Sequence, residues 1–333
     1  MRIMVAGSGG WGTALAIRLL QNGHDVTLWS YCASESEQLA ATDQNPFLPG
    51  VALPKELCFT SEPSAAQSMD MVVFATPSFA VRATAKAFAP YLREDAVIVS
   101  VTKGIEEDTG LRMSELVAQE TGKSVVALSG PSHAEEVSRG IPTGVVAACA
   151  DKELAEAVQT AFMCERLRVY TSPDTVGVEL GAAHKNVIAL CAGICDGLGY
   201  GDNTKALLMT RGLAELARLG MALGASRETF AGLAGVGDLI VTCTSMHSRN
   251  RRAGILIGQG IGVQEAMKQV GAVVEGYYAA SAAWKLAEKH GVEMPITRAA
   301  YEVLYENRDP REAIHALMQR QKTAEAAYSD WAR

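Results

Sequence analysis

The chain has 333 residues, 48% of them hydrophobic, so it is long enough for two domains that each bury a core. Its formal net charge of −7 argues against a general nucleic-acid binder, because that class needs a basic surface. No apolar run approaches the roughly 18 residues of a membrane span and no export signal precedes the first glycines, so we expect a cytoplasmic protein.

A short predicted strand, residues 2–6, runs into a G-x-G-x-x-G turn that opens a helix from about Gly10 to Asn22. Gly7 permits the tight turn, Gly9 lets the backbone approach a pyrophosphate, and Gly12 lets the helix pack against the strand. The free N–H groups at the helix start suit the anion. The flanking strand and helix favour a dinucleotide site over the alternative that the glycines only form a turn.

The second predicted strand, residues 25–30, bears on the choice of cofactor. In an NAD-selective unit an acidic residue at the end of this strand holds the ribose hydroxyls. Here the strand ends in Ser30 and Tyr31, and Glu35 and Glu37 follow only later. Neither Ser30 nor Tyr31 would repel a 2′-phosphate. We therefore expect NADP(H), or use of both NADP(H) and NAD(H).

Strand and helix patterns alternate up to about residue 172, which indicates a mostly parallel, doubly wound sheet. The later predicted strands are residues 71–76, 96–102, 125–128, 144–149 and 167–170. Beyond residue 173 only helical patterns remain, including residues 263–270, 277–290, 295–306 and 310–326. We predict an α/β Rossmann-type domain at residues 1–175, followed by an all-α substrate domain at residues 176–333, with a ligand cleft at the junction.

Two turns follow predicted strands at the edge where open α/β sheets bind ligands. They are Thr102-Lys103-Gly104 and the turn from Ser129 to Ser132, which contains Gly130. Ordinary turn chemistry explains either one equally well.

Lys185 interrupts an otherwise apolar helix, together with its neighbours His184 and Asn186. Burial would lower the pKa of its amine toward the range that is useful for proton transfer. The alternative is a lysine that reaches solvent from a half-buried helix.

Asp238 follows a glycine turn and could orient such an amine by an ion pair. The run from Ser248 to Arg252 supplies donors that suit a phosphate, although such runs are also common on solvated surfaces. No metal is expected, because Cys191 and Cys195 have no further ligand to complete a site.

Taken together, these segments resemble the NAD(P)-dependent glycerol-3-phosphate dehydrogenases of the bacterial type. The similar motifs occur in order along nearly the whole chain: 7–16, 102–104, 128–132, 185–186, 235–239, 248–252 and 273–276. The resemblance implies reversible reduction of dihydroxyacetone phosphate to sn-glycerol 3-phosphate, a phospholipid precursor, with no metal. It also implies that Lys185 is the proton donor and acceptor at the C2 oxygen and that Asp238 holds its amine.

The resemblance further implies two sets of contacts. Those to the substrate come from Lys103, Gly130, Ser132, Lys185, Asp238, Ser248, Arg249 and Asn250. Those to the cofactor come from Gly10, Trp11, Tyr31, Lys103, Ala134, Arg249, Val273 and Glu275, beside the three motif glycines. Gly10 and Tyr31 depart from the family pattern, in which Ser or Ala and His or Arg are common, and Tyr31 leaves the cofactor preference open.

Two other hypotheses remain. A β-hydroxyacid dehydrogenase or ketopantoate reductase would share the fold and the lysine, but its substrate carries a carboxylate where the run from Ser248 to Arg252 favours a phosphate. A non-catalytic NAD(P)H sensor would not need Lys185. A homodimer is compatible with each of these hypotheses.

Overall fold

The computed structural model describes residues 1–322 and 324–325. Within them, one eight-stranded sheet and its flanking helices form the first half. The strands are β1 (Arg2–Ala6), β2 (Asp25–Trp29), β3 (Cys58–Thr60), β4 (Met71–Phe74), β5 (Val97–Ser100), β6 (Val125–Ser129), β7 (Thr143–Ala148) and β8 (Leu167–Ser172). The helices of this half are α1 (Gly10–Gln21), α2 (Ala33–Thr42), α3 (Val81–Phe88), α4 (Met113–Thr121), α5 (Ala134–Ser138) and α6 (Lys152–Phe162).

The strand order is β3-β2-β1-β4-β5-β6-β7-β8, and every neighbouring pair is parallel except β6 with β7. The chain runs outward from β1 to β3 and then returns to place β4 on the other side of β1. The carboxyl ends of β1 and β4 therefore border a topological switch point, where open α/β sheets bind their ligands. The predicted Rossmann-type fold is confirmed.

Two expectations about individual elements were wrong. Strand β3 was not predicted, because it has three residues at the sheet edge, none of them fully buried, and is too short for an alternating pattern to be visible. The helix predicted for residues 310–326 ends at Met318 in the structure. Position 326, like residue 323 and the end of the chain, lies outside the described residues.

The second half is helical, as predicted, and begins with the 23-residue helix α7 (Thr175–Gly197). Asp174 starts it, because a side-chain oxygen accepts the Gly177 N–H at 2.8 Å. By length and composition α7 could cross a membrane, but 94% of its apolar window is buried inside the fold. The other helices are α8 (Asp202–Ala222), α9 (Arg227–Ala231), α10 (Asp238–Thr244), α11 (Arg249–Gly258), α12 (Val263–Val270), α13 (Glu275–His290), α14 (Pro295–Tyr305) and α15 (Pro310–Met318).

Helices α7 and α11 lie in direct backbone contact. Gly193 and Gly197 of α7 face Gly254 and Gly258 of α11. A Cβ atom at any of the four would lie between 2.1 and 2.3 Å from a carbonyl oxygen of the other helix, far inside van der Waals contact. The glycines therefore set the distance between the two helices.

We expect Gly254→Ala to lower the free energy of unfolding by about 1–3 kcal/mol, because overpacking must push α7 and α11 apart. Gly237→Ala is a matched control, since Gly237 has helical φ and ψ and a Cβ there would make only ordinary contacts. The control should be neutral or slightly stabilising. Urea denaturation measures both, and equal effects would contradict the packing role of Gly254.

Candidate active site

The glycine turn after β1 is tight at its ends and open at its centre. Gly7 has a φ of +136°, and a Cβ there would lie 2.7 Å from the Ala75 carbonyl oxygen. A Cβ at Gly12 would lie 1.9 Å from the Gly7 oxygen. At Gly9 a Cβ would meet no atom within 4 Å. This open space beside the start of α1 fits the pyrophosphate of a dinucleotide.

Asn45 fixes the turn from a neighbouring loop. Its buried amide donates to the Ser8 carbonyl oxygen at 2.8 Å and to Thr13 Oγ1 at 2.7 Å. Next to the turn, the buried indole N–H of Trp11 has no partner among the described residues, so a polar donor is available there. Sequence reasoning missed Asn45, because no local pattern links residue 45 to the turn.

The end of β2 carries no carboxylate, as its sequence indicates. Ser30 is fully buried, whereas Tyr31 is 84% exposed. Glu35, in the first turn of α2, folds back so that its Oε1 accepts the Ser8 hydroxyl at 2.8 Å. A carboxylate therefore does contact the glycine turn, but it comes from a helix rather than from the strand.

The centre of the candidate site is a carboxylate shared by two lysines. Lys185 Nζ lies 2.5 Å from Asp238 Oδ1, and Lys103 Nζ lies 2.9 Å from Asp238 Oδ2. Lys185 is only 5% exposed, so the alternative of a lysine that reaches solvent is wrong. Because α7, α10 and the turn after β5 each supply one group, the cluster lies where the two halves of the chain meet.

The two strand-end turns join this cluster through the same lysine. Lys103 Nζ donates to the Gly130 carbonyl oxygen at 2.9 Å and approaches Ser132 Oγ at 3.2 Å. The rings of His133 and His247 lie 5.7 Å apart and bring the residues next to Ser132 close to the start of α11.

Burial and charge set the protonation of the cluster. Burial lowers the pKa of Lys185 to about 7, although the attraction of Asp238 opposes this shift. Burial by itself would raise the pKa of Asp238, but the charges of Lys103 and Lys185 outweigh it and hold that pKa below its ordinary value. The carboxylate is therefore ionised, whereas Lys185 can gain or lose a proton near neutral pH.

The residues of the basic run at the start of α11 have different contacts. Ser248 begins the helix, because its hydroxyl accepts the Arg251 N–H at 3.2 Å. Arg251 forms an ion pair with Asp196 at 2.8 Å. Arg249 is exposed and has no hydrogen bond or ion pair within the described part of the chain, so its guanidinium is available for an anion.

Asn250 is buried and connects three helices. Its Nδ2 donates to Asn186 Oδ1 on α7 at 2.9 Å, and its Oδ1 accepts the Gly276 N–H of α13 at 2.8 Å. The preceding residue, Glu275, accepts the backbone N–H and the hydroxyl of Ser78 at 3.2 and 2.6 Å, and burial raises its pKa. These contacts tie the helical half to the loop after β4.

Two family models cover most of the chain. The model described as NAD-dependent glycerol-3-phosphate dehydrogenase N-terminus matches residues 2–155, and the corresponding C-terminus model matches residues 174–315. The chain belongs to the NAD-dependent glycerol-3-phosphate dehydrogenase family. The resemblance inferred from the motifs is thus confirmed, and the family is the first of the two enzyme classes considered.

Individual glycerol-3-phosphate dehydrogenases are similar to this chain, in sequence and in structure, over nearly its full length. One named glycerol-3-phosphate dehydrogenase [NAD(P)+], from Pelotomaculum thermopropionicum, is 54% identical and covers 97% of this chain and 95% of its own length. One of the same name from Moorella thermoacetica is 51% identical and covers 99% of both chains. The crystal structure of glycerol-3-phosphate dehydrogenase from Coxiella burnetii has a TM-score of 0.92 at 37% identity and covers 96% of this chain and 99% of its own.

Not all residues that the glycerol-3-phosphate dehydrogenase resemblance points to share direct contacts. Lys103, Gly130, Ser132, Lys185 and Asp238 form one hydrogen-bonded cluster. On the cofactor side, Ala134 and Gly10 are neighbours, because a Cβ at Gly10 would lie 3.7 Å from the Ala134 side chain. Val273 is half-buried in the turn before α13, and Tyr31 lies on the surface. Within the described residues, neither forms a hydrogen bond with the lysine cluster.

Sequence reasoning also missed Thr242. Its hydroxyl accepts from Lys185 Nζ at 2.7 Å and donates to the Asp238 carbonyl oxygen at 2.6 Å. The signal was present, because Thr242 follows Asp238 by four residues and so lies on the same face of α10.

We expect Asn250→Leu to lower the free energy of unfolding by about 1–3 kcal/mol, because it leaves buried groups of both Asn186 and Gly276 without partners. Asn186→Leu removes only the first of these contacts and should cost less. Urea denaturation of both variants tests this order. A larger loss for Asn186→Leu would contradict the role assigned to the Gly276 contact.

Proposed function

We propose that this chain catalyses reversible hydride transfer between NAD(P)H and C2 of dihydroxyacetone phosphate, giving sn-glycerol 3-phosphate. The observation that carries the proposal is the buried Lys185 amine, held by Asp238 at the junction of the two halves. Membership of the glycerol-3-phosphate dehydrogenase family supports both the substrate and the cofactor class.

The glycine turn and the start of α1 would hold the pyrophosphate of the cofactor, with Trp11 beside them. When bound, the nicotinamide supplies the hydride. As negative charge develops on the C2 oxygen, Lys185 stabilises it and delivers a proton. Asp238 and Thr242 hold the Lys185 amine in one direction. In the reverse direction, neutral Lys185 accepts the proton.

The substrate phosphate binds to Arg249 and Ser248, away from the reacting carbon. The guanidinium of Arg249 makes no hydrogen bond or ion pair within the described residues, although its charge acts on Glu275, and it offers planar donors to the phosphate oxygens. Binding energy gathered there positions the carbonyl next to Lys185. Lys103, with Gly130 and Ser132, forms the opposite wall.

The wider setting of the enzyme is also part of this proposal. Residues 1–175 would act as the dinucleotide-binding domain and residues 176–333 as the substrate domain, the last of which extend beyond the described residues. The enzyme would work in the cytoplasm and supply sn-glycerol 3-phosphate for phospholipid synthesis. A homodimer is compatible with this role.

The direct test is steady-state reduction of dihydroxyacetone phosphate with NADH and NADPH side by side, with ketopantoate as the competing substrate. Lys185→Ala should lower kcat by roughly 10²- to 10⁴-fold, because acid–base catalysis is lost, while cofactor affinity is preserved. Near-normal kcat would refute the role of Lys185. Equal or better turnover of ketopantoate would instead refute the substrate.

The pH dependence should have opposite signs in the two directions, because Lys185 has a pKa lowered to about 7. Reduction needs the protonated amine, so its kcat should fall as the pH rises above about 7. Oxidation needs the neutral amine, so its kcat should fall as the pH drops below that value. Thr242→Val removes an acceptor of the ammonium form and should move both midpoints to lower pH. Profiles with the same sign in both directions would contradict the assignment.

Arg249→Ala should raise KM for dihydroxyacetone phosphate far more than for unphosphorylated dihydroxyacetone, because only the first carries the phosphate. Arg251→Ala is a suitable comparison, since Arg251 already pairs with Asp196. Equal effects of Arg249→Ala on the two substrates would place Arg249 elsewhere.

A further inference from the structure

The end of β2 carries no carboxylate, but one from the next helix, α2, contacts the glycine turn. In nicotinamide-binding Rossmann units the acidic group that holds the adenosine ribose lies beside the glycine turn, about 20 residues after it. Glu35 follows the last motif glycine by 23 residues, and its Oε1 accepts the hydroxyl of Ser8, inside that turn, at 2.8 Å. Glu35 is half-buried there. Its second oxygen, Oε2, makes no hydrogen bond within the described residues.

Within the described residues 19–81, which include β2, β3 and their connections, almost no positive charge is available to balance a 2′-phosphate. Between residues 19 and 81 the sequence contains a single Lys or Arg, Lys55. Lys55 precedes β3 and so lies toward the amino edge of that parallel strand, opposite the glycine turn. At the carboxyl edge, the Ser30 N–H after β2 donates to the Thr60 carbonyl oxygen of β3 at 2.9 Å. The next charged residue after β3 is Glu62, which is acidic.

We propose that Glu35 is the specificity-determining residue for the cofactor and that the enzyme prefers NAD(H) to NADP(H). The carboxylate accepts hydrogen bonds from the ribose hydroxyls of NAD(H), whereas a 2′-phosphate brings further negative charge to the same place without an arginine to receive it. This preference narrows the expectation of NADP(H), or of both cofactors, that the strand end alone suggested. The inference rests on the proposed function, because it concerns the cofactor of that reaction.

Glu35 could have a second, purely structural effect, because its contact with Ser8 steadies the glycine turn. Glu35→Gln separates the two effects. A glutamine still offers a carbonyl oxygen to the Ser8 hydroxyl but carries no charge. Loss of a structural role would weaken the binding of both cofactors in parallel. Loss of a selective charge moves the two affinities in opposite directions.

The experiment measures the dissociation constants of NADH and NADPH by fluorescence titration, without substrate, for the full-length protein and its variants. The unmodified protein should bind NADH at least tenfold more tightly than NADPH. Glu35→Gln should reduce this ratio to about threefold or less, by weakening NADH and strengthening NADPH. Glu37→Gln removes a nearby exposed charge of α2 and should leave the ratio unchanged. Tyr31→Arg combined with Glu35→Gln should invert the preference.

Two results would overturn the inference alone: tighter binding of NADPH than of NADH by the unmodified protein, or an unchanged ratio in Glu35→Gln. A protein that binds neither cofactor would overturn the proposed function as well, so the two failures are distinguishable. Thermal unfolding of each variant confirms that the titrations compare folded proteins.

Discussion

The contact between the backbones of α7 and α11 is the constraint on which the site depends. With glycines at all four crossing positions, the helices approach more closely than side chains would permit. One helix carries Lys185 and Asn186, and the other begins with Arg249 and Asn250. Close approach allows the amides of Asn186 and Asn250 to bond directly, so Lys185 and Arg249, their neighbours in the chain, are positioned by one closely packed pair of helices.

The burial of α7 in this packing also affects the protonation of Lys185 and Asp238. Burial disfavours the charged form of a lysine amine, and α7 is buried along most of its length, so burial is the main cause of the lowered pKa of Lys185. An isolated buried charge would be costly, but Asp238 pairs with both Lys185 and Lys103. The buried Asp238 carboxylate thus orients the buried Lys185 amine, while the partly buried Lys103 balances its second oxygen.

The features that could be predicted from the sequence are those with local causes. The glycine turn, the strand-helix alternation and the lone lysine in an apolar helix each leave a pattern within a few residues. Asn45, Glu35 and strand β3 could not be placed in this way, because their positions depend on contacts with distant segments. Arg251 illustrates the limit within a motif, since only the structure separates its ion pair from the unpaired Arg249.

The contact between Ser78 and Glu275 has a consequence for folding. These residues are 197 positions apart in the chain, so their hydrogen bonds close a very long loop, and the packing of both halves must offset the entropic cost of closing it. This contact between the two halves therefore depends on the folding of the whole segment from β4 to α13. A helical half that fails to fold would leave Ser78 without Glu275, even where the glycine turn after β1 has formed.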